Sequence, residues 1–564
     1  MITPFDSIGR TYNHIKRWRQ LIQILVKYGF ADIVDALNFQ HYIEVGKSVV
    51  SGKPVKEITS ITREERIRLV VEEMGTTFIK FGQILSTRPD LISQPLIEEF
   101  KKLQDKVPPF PNEEAVKIIE KELDGKVDEL FSELSTEPIA SASIAQVYIG
   151  VLPDGEKVAI KVRRPDIEKI VKVDLEIMTN LAKLGEAHLH GLEIIQPVAI
   201  IEEFARQLEN EMNFLLEAYN IERFAENAKK TDGVHVIEVY RSYSTRTVLT
   251  TEFVAGTKID RMDKLDELGV DKSAIAVIGS NAVLKQIFED GFFHGDPHPG
   301  NLLVTEDQKV CFLDFGMMGT LSKKEQEHLA DLVINVVTNN DEEITNSVLN
   351  IAINSEEIEN TTKLQREILR FVNSYACLPF NQLDAGKILQ ELLDLLIKFG
   401  IKLPPEYYLL IKALVTIEGI GNSLDPDFVM MDYVKPYAQR LVMRRYDPRK
   451  ISKDFGKTTL DYYKLVSEMP SEIRELLKFI KRGEIKIDLE TKSLQPVMKT
   501  WDRDANRLAF AIVNSSILLS SSLIIMAKVP PMWHEVSVPG MIGIGLSVLM
   551  SLRLLLAIFT SGHM

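Results

Sequence analysis

The chain has only two cysteines, Cys311 and Cys377, in 564 residues. Two thiols exclude a disulfide scaffold and a cysteine-rich zinc site, and they fit a reducing compartment. Basic excess is missing too. The formal net charge is −14, and no stretch gathers lysine and arginine into a stripe, so no nucleic-acid partner is expected. The opening residues, MITPFDSIGRTYNHIKRWRQ, lack the long apolar run of a secretory signal. The chain is too long for one core, which predicts about two to four domains. Its 45% hydrophobic and 26% charged residues are the proportions of a folded protein.

Long apolar runs are confined to the C-terminal end. Leu508 to Ala527 is 20 residues without a charge, and Met541 to Phe559 is 19 residues with one, Arg553. Each could cross about 30 Å of hydrocarbon as a helix. Between them, KVPPMWHEVSVPG has the prolines and the tryptophan, Trp533, of an interfacial turn. The pair predicts a transmembrane helical hairpin; a buried hairpin of a soluble protein is the alternative. Arg503 and Arg507 precede the first run and predict a cytoplasmic main domain. Ser515, Ser516, Ser520 and Ser521 in the first run, and Gly543, Ser547 and Ser551 in the second, would let the helices approach closely. Arg553 would snorkel to the headgroups or contact a lipid directly.

Upstream, Ile15 to Leu37 mixes apolar and basic positions, as in a helix lying on a domain or a membrane surface. Ile67 to Leu85 predicts a second helix, and Pro108-Pro109-Phe110-Pro111 a break. Gln146 to Leu152 and Val158 to Arg163 read as strands joined at Pro153-Asp154-Gly155. A helical region runs to Ala228. Val234 to Tyr240 and Thr247 to Val254 then predict another strand pair, and helical patterns dominate beyond Ile259.

Chemistry concentrates in one segment. His294-Gly295-Asp296-Pro297-His298-Pro299-Gly300-Asn301 is followed by Leu313-Asp314-Phe315-Gly316. A carboxylate, an amide five residues later and a second carboxylate 18 residues on repeat a protein-kinase catalytic loop and its metal-binding DFG. Asp296 would orient the attacking group, while Asn301 and Asp314 would hold Mg²⁺, a hard cation that takes oxygen ligands. The interrupting prolines exclude helical zinc-ligand spacing for His294 and His298, which read as loop-shaping residues. Upstream, Val158-Ala159-Ile160-Lys161 matches the strand whose lysine grips the α and β phosphates. That lysine needs a carboxylate partner: Glu217 is the first candidate and Glu211 the competitor. Glu252 and Val254 end the small lobe, where a hinge would offer backbone groups to adenine.

Two departures from the kinase pattern are informative. The glycine-rich loop is replaced by Ala140-Ser141-Ala142-Ser143-Ile144-Ala145-Gln146-Val147. Alanine reaches positive φ only at a cost, which predicts a stiffer loop, with a helical path as one option, and an altered preference between ATP and ADP. Ala140, Ala142, Ser143, Ala145 and Val147 are its candidate nucleotide-binding residues. After Asp314, the chain passes through Met317 and Leu321 directly into a helical run, and Ala-Pro-Glu occurs nowhere. The peptide-docking segment of a protein kinase is absent.

Together with Lys80-Phe81-Gly82-Gln83 and Glu217-Ala218-Tyr219-Asn220, these features resemble the UbiB family of atypical kinase-like proteins. The resemblance covers roughly residues 10 to 440 and suits the C-terminal hairpin. It implies an α+β, two-lobed atypical protein-kinase-like fold, with a helical extension at 1–110, a small lobe at 111–255, a helical lobe at 256–500 and a transmembrane hairpin at 505–560. It implies ATP or ADP with Mg²⁺ as ligands, and ATPase or small-molecule kinase activity in ubiquinone biosynthesis at the inner membrane. Lipophilic quinone precursors or membrane lipid, and other quinone-biosynthesis proteins, would be the partners. In that family the helix bearing Lys80 and Gln83 covers the active site. The family's ExD motif appears as Glu211-Met212-Asn213, with an amide in place of the final acid. A nucleotide-gated scaffold or lipid-extraction factor without phosphoryl transfer is the alternative reading.

Overall fold

The computed structural model describes residues 4–30, 61–103, 107–188, 196–445 and 495–560, except 230, 339, 356–357, 359–360, 377–384 and 534–535. Cys377 and the predicted helical residues 31–37 lie outside the described residues. The chain divides into two compact units, Met1–Lys453 and Asp454–Met564.

The first unit begins with helices α1 (Pro4–Lys27), α2 (Arg63–Met74), α3 (Thr76–Leu85) and α4 (Gln94–Phe100). The predicted single helix at 67–85 is therefore two, broken at Gly75, where φ is +96°. Thr62 caps α2 by accepting the Glu65 amide, the usual service of a threonine at that position. Leu21, Ile24, Val70, Met74 and Phe78 form one apolar cluster with Phe204, Leu208 and Met212 from further along the chain. Arg17 reaches the buried Asp174 with two hydrogen bonds, at 2.7 and 3.0 Å.

After α5 (Asn112–Leu123) and α6 (Val127–Leu130) comes the small-lobe sheet: β1 (Glu133–Leu134), β2 (Ala140–Ser141), β3 (Ala145–Val151) and β4 (Lys157–Arg163). Helices α7 (Ile167–His188), α8 (Pro197–Glu211) and α9 (Phe214–Ala228), strand β5 (Val234–His235) and strand β6 (Val248–Glu252) follow. The sheet order is β1-β3-β4-β6, with β2 on β3, all antiparallel. Strand side chains alternate between faces. Val158, Ile160 and Val162 accordingly bury against Ile119 of α5, and Lys161 takes the opposite face. The predicted pairing of 234–240 with 247–254 shrinks to one bridge, Val239 to Thr251. Val234–His235 instead pairs in parallel with a strand of the large lobe.

The large lobe comprises β7 (Gly256–Lys258), α10 (Met262–Glu267), α11 (Lys272–Lys285), β8 (Phe292–His294), β9 (Leu302–Thr305), β10 (Val310–Phe312), β11 (Met318–Thr320) and α12 (Lys323–Val337). It continues with α13 (Asp341–Ile351), α14 (Thr361–Ala376), α15 (Ala385–Lys398), α16 (Pro405–Leu424) and α17 (Met430–Arg445). Short strands thus punctuate a region whose sequence reads as mostly helical. They run β5-β10-β9-β7 and β11-β8, and they present both ends of the catalytic segment to one cleft. The arrangement is a kinase-like α+β fold.

The second unit, where described, is a helix pair. α18 (Gln495–Met526) and α19 (Val538–Thr560) are joined through β12 (Met532–Trp533) and β13 (Val536–Ser537). Leu508–Met526 is long and apolar enough to cross a membrane, whereas the apolar described part of α19, Val538–Arg553, is shorter than a full span. Asn514 donates to Ser551 Oγ, and Ser547 Oγ donates to Asn514 Oδ1, both at 2.7 Å. A Cβ on Gly543 would stand 2.0 Å from Ser521 Oγ, so only glycine admits this approach. Arg553 is exposed, and the side chains of Arg503 and Arg507 lie outside the described residues.

Candidate active site

Strand β4 and helix α9 build one wall of the cleft. The Lys161 ammonium donates to both oxygens of Glu217, at 2.8 and 2.9 Å. Glu217 sits in the first turn of α9, and its side chain is 6% exposed. Of the two candidate carboxylates, Glu217 therefore holds Lys161, while Glu211 accepts from Lys80 at 2.6 Å. Burial works against the charge on Lys161, but Asp314 and Glu217 outweigh it and hold its pKa above the ordinary lysine range. Burial pushes the Glu217 carboxyl up against the pull of Lys161. The proton stays on the lysine.

The opposite wall carries the acidic motifs. Asp314 Oδ1 lies 3.7 Å from Lys161 Nζ, and the Asp314 side chain is 49% exposed to the cleft. Lys161 is the main cause holding the Asp314 carboxyl well below the usual range; the Gly316 amide, donating at 3.0 Å, and the charge on Lys80 add to it. Asp314 is an ionised oxygen ligand open to a cation. Asn301 donates its side-chain amide to the Asp296 carbonyl at 3.2 Å, which leaves its Oδ1 as the acceptor. The Leu313 amide donates to the Asn301 carbonyl at 2.9 Å, tying the loop to the strand that carries Asp314.

Both histidines shape the loop, as their spacing predicts. His294 Nδ1 accepts the Asp296 amide at 3.2 Å, and His298 Nδ1 accepts the Gly300 amide at 2.9 Å. The His294 ring is buried against Phe312 and Phe315, and that burial lowers its pKa and keeps it neutral.

The alanine-rich loop is not helical. Ala140 pairs with Val147 and Ser141 with Gln146, and the Ala142 amide closes the turn on the Ala145 carbonyl at 2.8 Å. No residue from Ala140 to Ala145 takes a positive φ, so the hairpin forms without glycine. Arg164 pins it by donating to the Ala142 carbonyl and Ser141 Oγ, each at 2.8 Å. Ile144, at the tip, inserts among Met74, Phe78 and Phe204. Ser143 Oγ is buried there without a hydrogen-bond partner. The loop is thereby docked into the N-terminal extension, and sequence alone signalled neither Ile144 nor Arg164.

The remaining candidates surround this centre. Lys80 faces Glu211, whose Cγ comes within 3.9 Å of a Cβ placed on Gly316, so this pair lies beside the Asp314 segment. Gln83 turns the other way and donates to the Leu103 carbonyl at 3.3 Å, bracing the extension. Asn213 precedes α9 with its Oδ1 buried and unpartnered. Glu252 Oε1 lies 3.0 Å from His235 Nε2, and the Phe253 amide donates to the Lys157 carbonyl at 3.0 Å. Val254 packs against the large-lobe core, so residues 252–254 form the link between lobes.

One charged residue at the site went unread in the sequence. Lys412, on α16, places Nζ 2.9 Å from Asp296 Oδ1. The available signal was a lone cation within the apolar run YYLLIKALVTI.

Known proteins share this arrangement in sequence. The ABC1 atypical kinase-like domain matches residues 102–348, the UbiB helical domain 368–429 and the ABC1/UbiB kinase-like C-terminal domain 492–560. The "Uncharacterized protein in hydrogenase 1 5'region" of Clostridium pasteurianum is 33% identical over 557 residues, covering 98% of this chain and 100% of that one. The "Probable protein kinase UbiB" of Xylella fastidiosa is 30% identical over 514 residues, covering 89% and 92%. Rv3197 of Mycobacterium tuberculosis, solved in complex with erythromycin, is 19% identical with a TM-score of 0.44, covering 68% of this chain and 98% of that one. With identity of this degree running nearly end to end, and with the domain matches falling on the cleft, the helical lobe and the C-terminal pair in turn, the chain belongs to the ABC1/UbiB family of atypical kinase-like proteins.

Proposed function

We propose that this protein is a membrane-anchored, ATP-dependent phosphotransferase or ATPase that supports isoprenoid quinone (ubiquinone) biosynthesis. The observation that carries the catalytic part is the meeting of Lys161, Glu217 and Asp314, with Lys161 Nζ bonded to one carboxylate and 3.7 Å from the other. An ammonium held in place positions phosphates, and an ionised carboxylate across from it accepts a divalent cation. Asn301 Oδ1 and Asp314 would hold Mg²⁺. Among the described residues, no group of three or more His, Cys, Asp or Glu side chains could do so. That donor set fits Mg²⁺, which usually keeps one or two protein ligands and completes its shell with phosphate oxygens and water. When bound, it would neutralise charge on the phosphates. Asp296 would orient the attacking hydroxyl or water.

The short path from Asp314 through β11 to α12 leaves no platform for a substrate peptide, which favours a small or lipophilic acceptor. The quinone assignment draws on membership of the UbiB family, to which the relatives of that name belong. Exposed apolar side chains on α18 and α19 support membrane anchoring; the inner membrane is taken from the family resemblance, and a cytoplasmic kinase-like unit from Arg503 and Arg507 ahead of the first apolar run. Quinone precursors, membrane lipid and other enzymes of that route are the partners this reading names. The test is Mg²⁺-dependent nucleotide turnover by the purified chain, with and without a phenolic precursor mimic. Wild-type turnover no faster than that of Asp314→Asn would overturn the reading.

One observation favours the second reading, a nucleotide-gated scaffold. The insertion of Ile144 into the extension cluster links the phosphate loop to a cover that nucleotide could move. Nucleotide binding without hydrolysis, even with lipid added, would select it.

A further inference from the structure

Helix α16 lies outside the matched kinase-like segment, yet it packs on the catalytic loop. Leu409 comes within 2.6 Å of a Cβ placed on Gly295, so the helix touches the loop backbone directly. One turn on, Lys412 Nζ sits 2.9 Å from Asp296 Oδ1, and the two side chains are 30% and 27% exposed. The helix is held there by the buried residues Tyr407, Leu410, Ala413 and Ile417. At its start, the Arg88 guanidinium lies 4.9 Å from the Tyr408 ring centre. Lys412 therefore stands on a rigid element, half open to the cleft.

The loop that bears Asp296 supplies no cation of its own. His294 is buried and neutral, and His298 is turned onto the Gly300 amide. Lys161 stands on the other wall, engaged by Glu217 and facing Asp314. The terminal group of a triphosphate carries more charge than either inner group, and phosphoryl transfer depends on cations placed around it. An ammonium has three donors, and one bond to Asp296 leaves others for a second acceptor.

We propose that Lys412 is a terminal-phosphate residue: its ammonium bridges Asp296 and the γ-phosphoryl oxygens, and it raises the site's affinity for ATP relative to ADP. This rests on the nucleotide-binding reading above. In hydrolysis, water adds to the γ phosphorus and the bond to the β,γ-bridging oxygen breaks, with its electron pair leaving on ADP. The water's proton passes to Asp296, and Lys412 stays protonated throughout.

The experiment is calorimetric titration of the full chain in detergent with Mg²⁺ and either ADP or the non-hydrolysable β,γ-imido analogue of ATP. Lys412→Met should weaken the triphosphate about 10-fold, the scale of a charge-assisted bond, and leave ADP within about twofold. Lys412→Arg should recover most of the loss. In separate turnover assays of the same variants with ATP, kcat should fall while KM for ATP rises less. A merely structural lysine would move ADP and the triphosphate together, or neither, and either result in a variant with the wild-type melting curve overturns the proposal. If Lys412→Met does not fold, Lys412→Gln, which keeps a donor and most of the length, is judged by the same comparison. A wild-type chain that binds neither nucleotide sinks the functional reading and this inference together. Nucleotide binding with an unchanged triphosphate-to-diphosphate ratio sinks this inference alone.

Discussion

In the kinase-like unit the side chains hidden from solvent include Phe204, Phe293, Phe312 and Phe315, and charge gathers in the open cleft. In the C-terminal helix pair the buried side chains include polar ones, Asn514, Ser521 and Ser547 at 8%, 4% and 1% exposed, while Leu519, Leu523 and Leu549 point outward; Ser515, Ser516 and Ser520, expected at the helix contact, are exposed instead. Under the membrane-anchored reading proposed above, both units obey one rule applied to different surroundings. In water, apolar burial drives folding and charges stay at the surface. In hydrocarbon, apolar side chains gain little from hiding, and close packing with neutral polar bonds joins the helices.

That contrast can be broken at several points. The largest effect is expected in the cleft. Asp314→Asn removes the ionised ligand and should cut Mg²⁺-dependent turnover roughly 1000-fold, since several kcal/mol of charge stabilisation would go with the metal; steady-state assays check it. Leu519→Arg comes next. On a soluble surface such a change shifts stability by under about 0.5 kcal/mol, whereas at the centre of a membrane span it costs about 3 kcal/mol. Vesicle flotation should show the variant leaving the membrane fraction, and unchanged flotation would return the helix pair to the soluble alternative.

Asn514→Leu should loosen the helix pair by about 1 kcal/mol, read as increased protease access to the 528–537 turn, while nucleotide affinity stays unchanged. The smallest effect concerns Cys311, whose thiol is fully buried and pushed up by that burial to about 12. A raised thiol pKa contributes stability that is whole below the ordinary value of 9.0 and lost as pH climbs toward 12. Peptide mapping after thiol labelling at pH 8 should find Cys311 unmodified in the folded chain. Alkaline melting should be less pH-dependent in Cys311→Val.

Much of the cleft was legible because its chemistry is local. Asp296, Asn301 and Asp314 announce themselves by spacing, and the period-two strand fixes which way Lys161 faces. Glu217 could be ranked over Glu211 but not proved, because Lys161 and Glu217 lie 56 residues apart and only α9 packing against β4 joins them. The alanine loop forms a hairpin and not a helix because its register depends on the partner strand and on Arg164, neither of which is a property of the loop. Val234–His235 was given the wrong partner for a similar reason: a two-residue strand has no pattern from which to choose its edge.

The sequence by itself determined the kinase-like motif set, the family and the two apolar helices, because each is written in residue type at fixed spacing along the chain. Tertiary structure alone decided that Lys412 meets Asp296, that Glu211 belongs to Lys80, and that Ile144 docks in the extension. Those contacts join residues from 116 to 131 positions apart where measured ends are Lys412 and Asp296, or Lys80 and Glu211. Pairings across such separations leave no local signature, since packing of whole helices rather than any neighbouring residue brings them together.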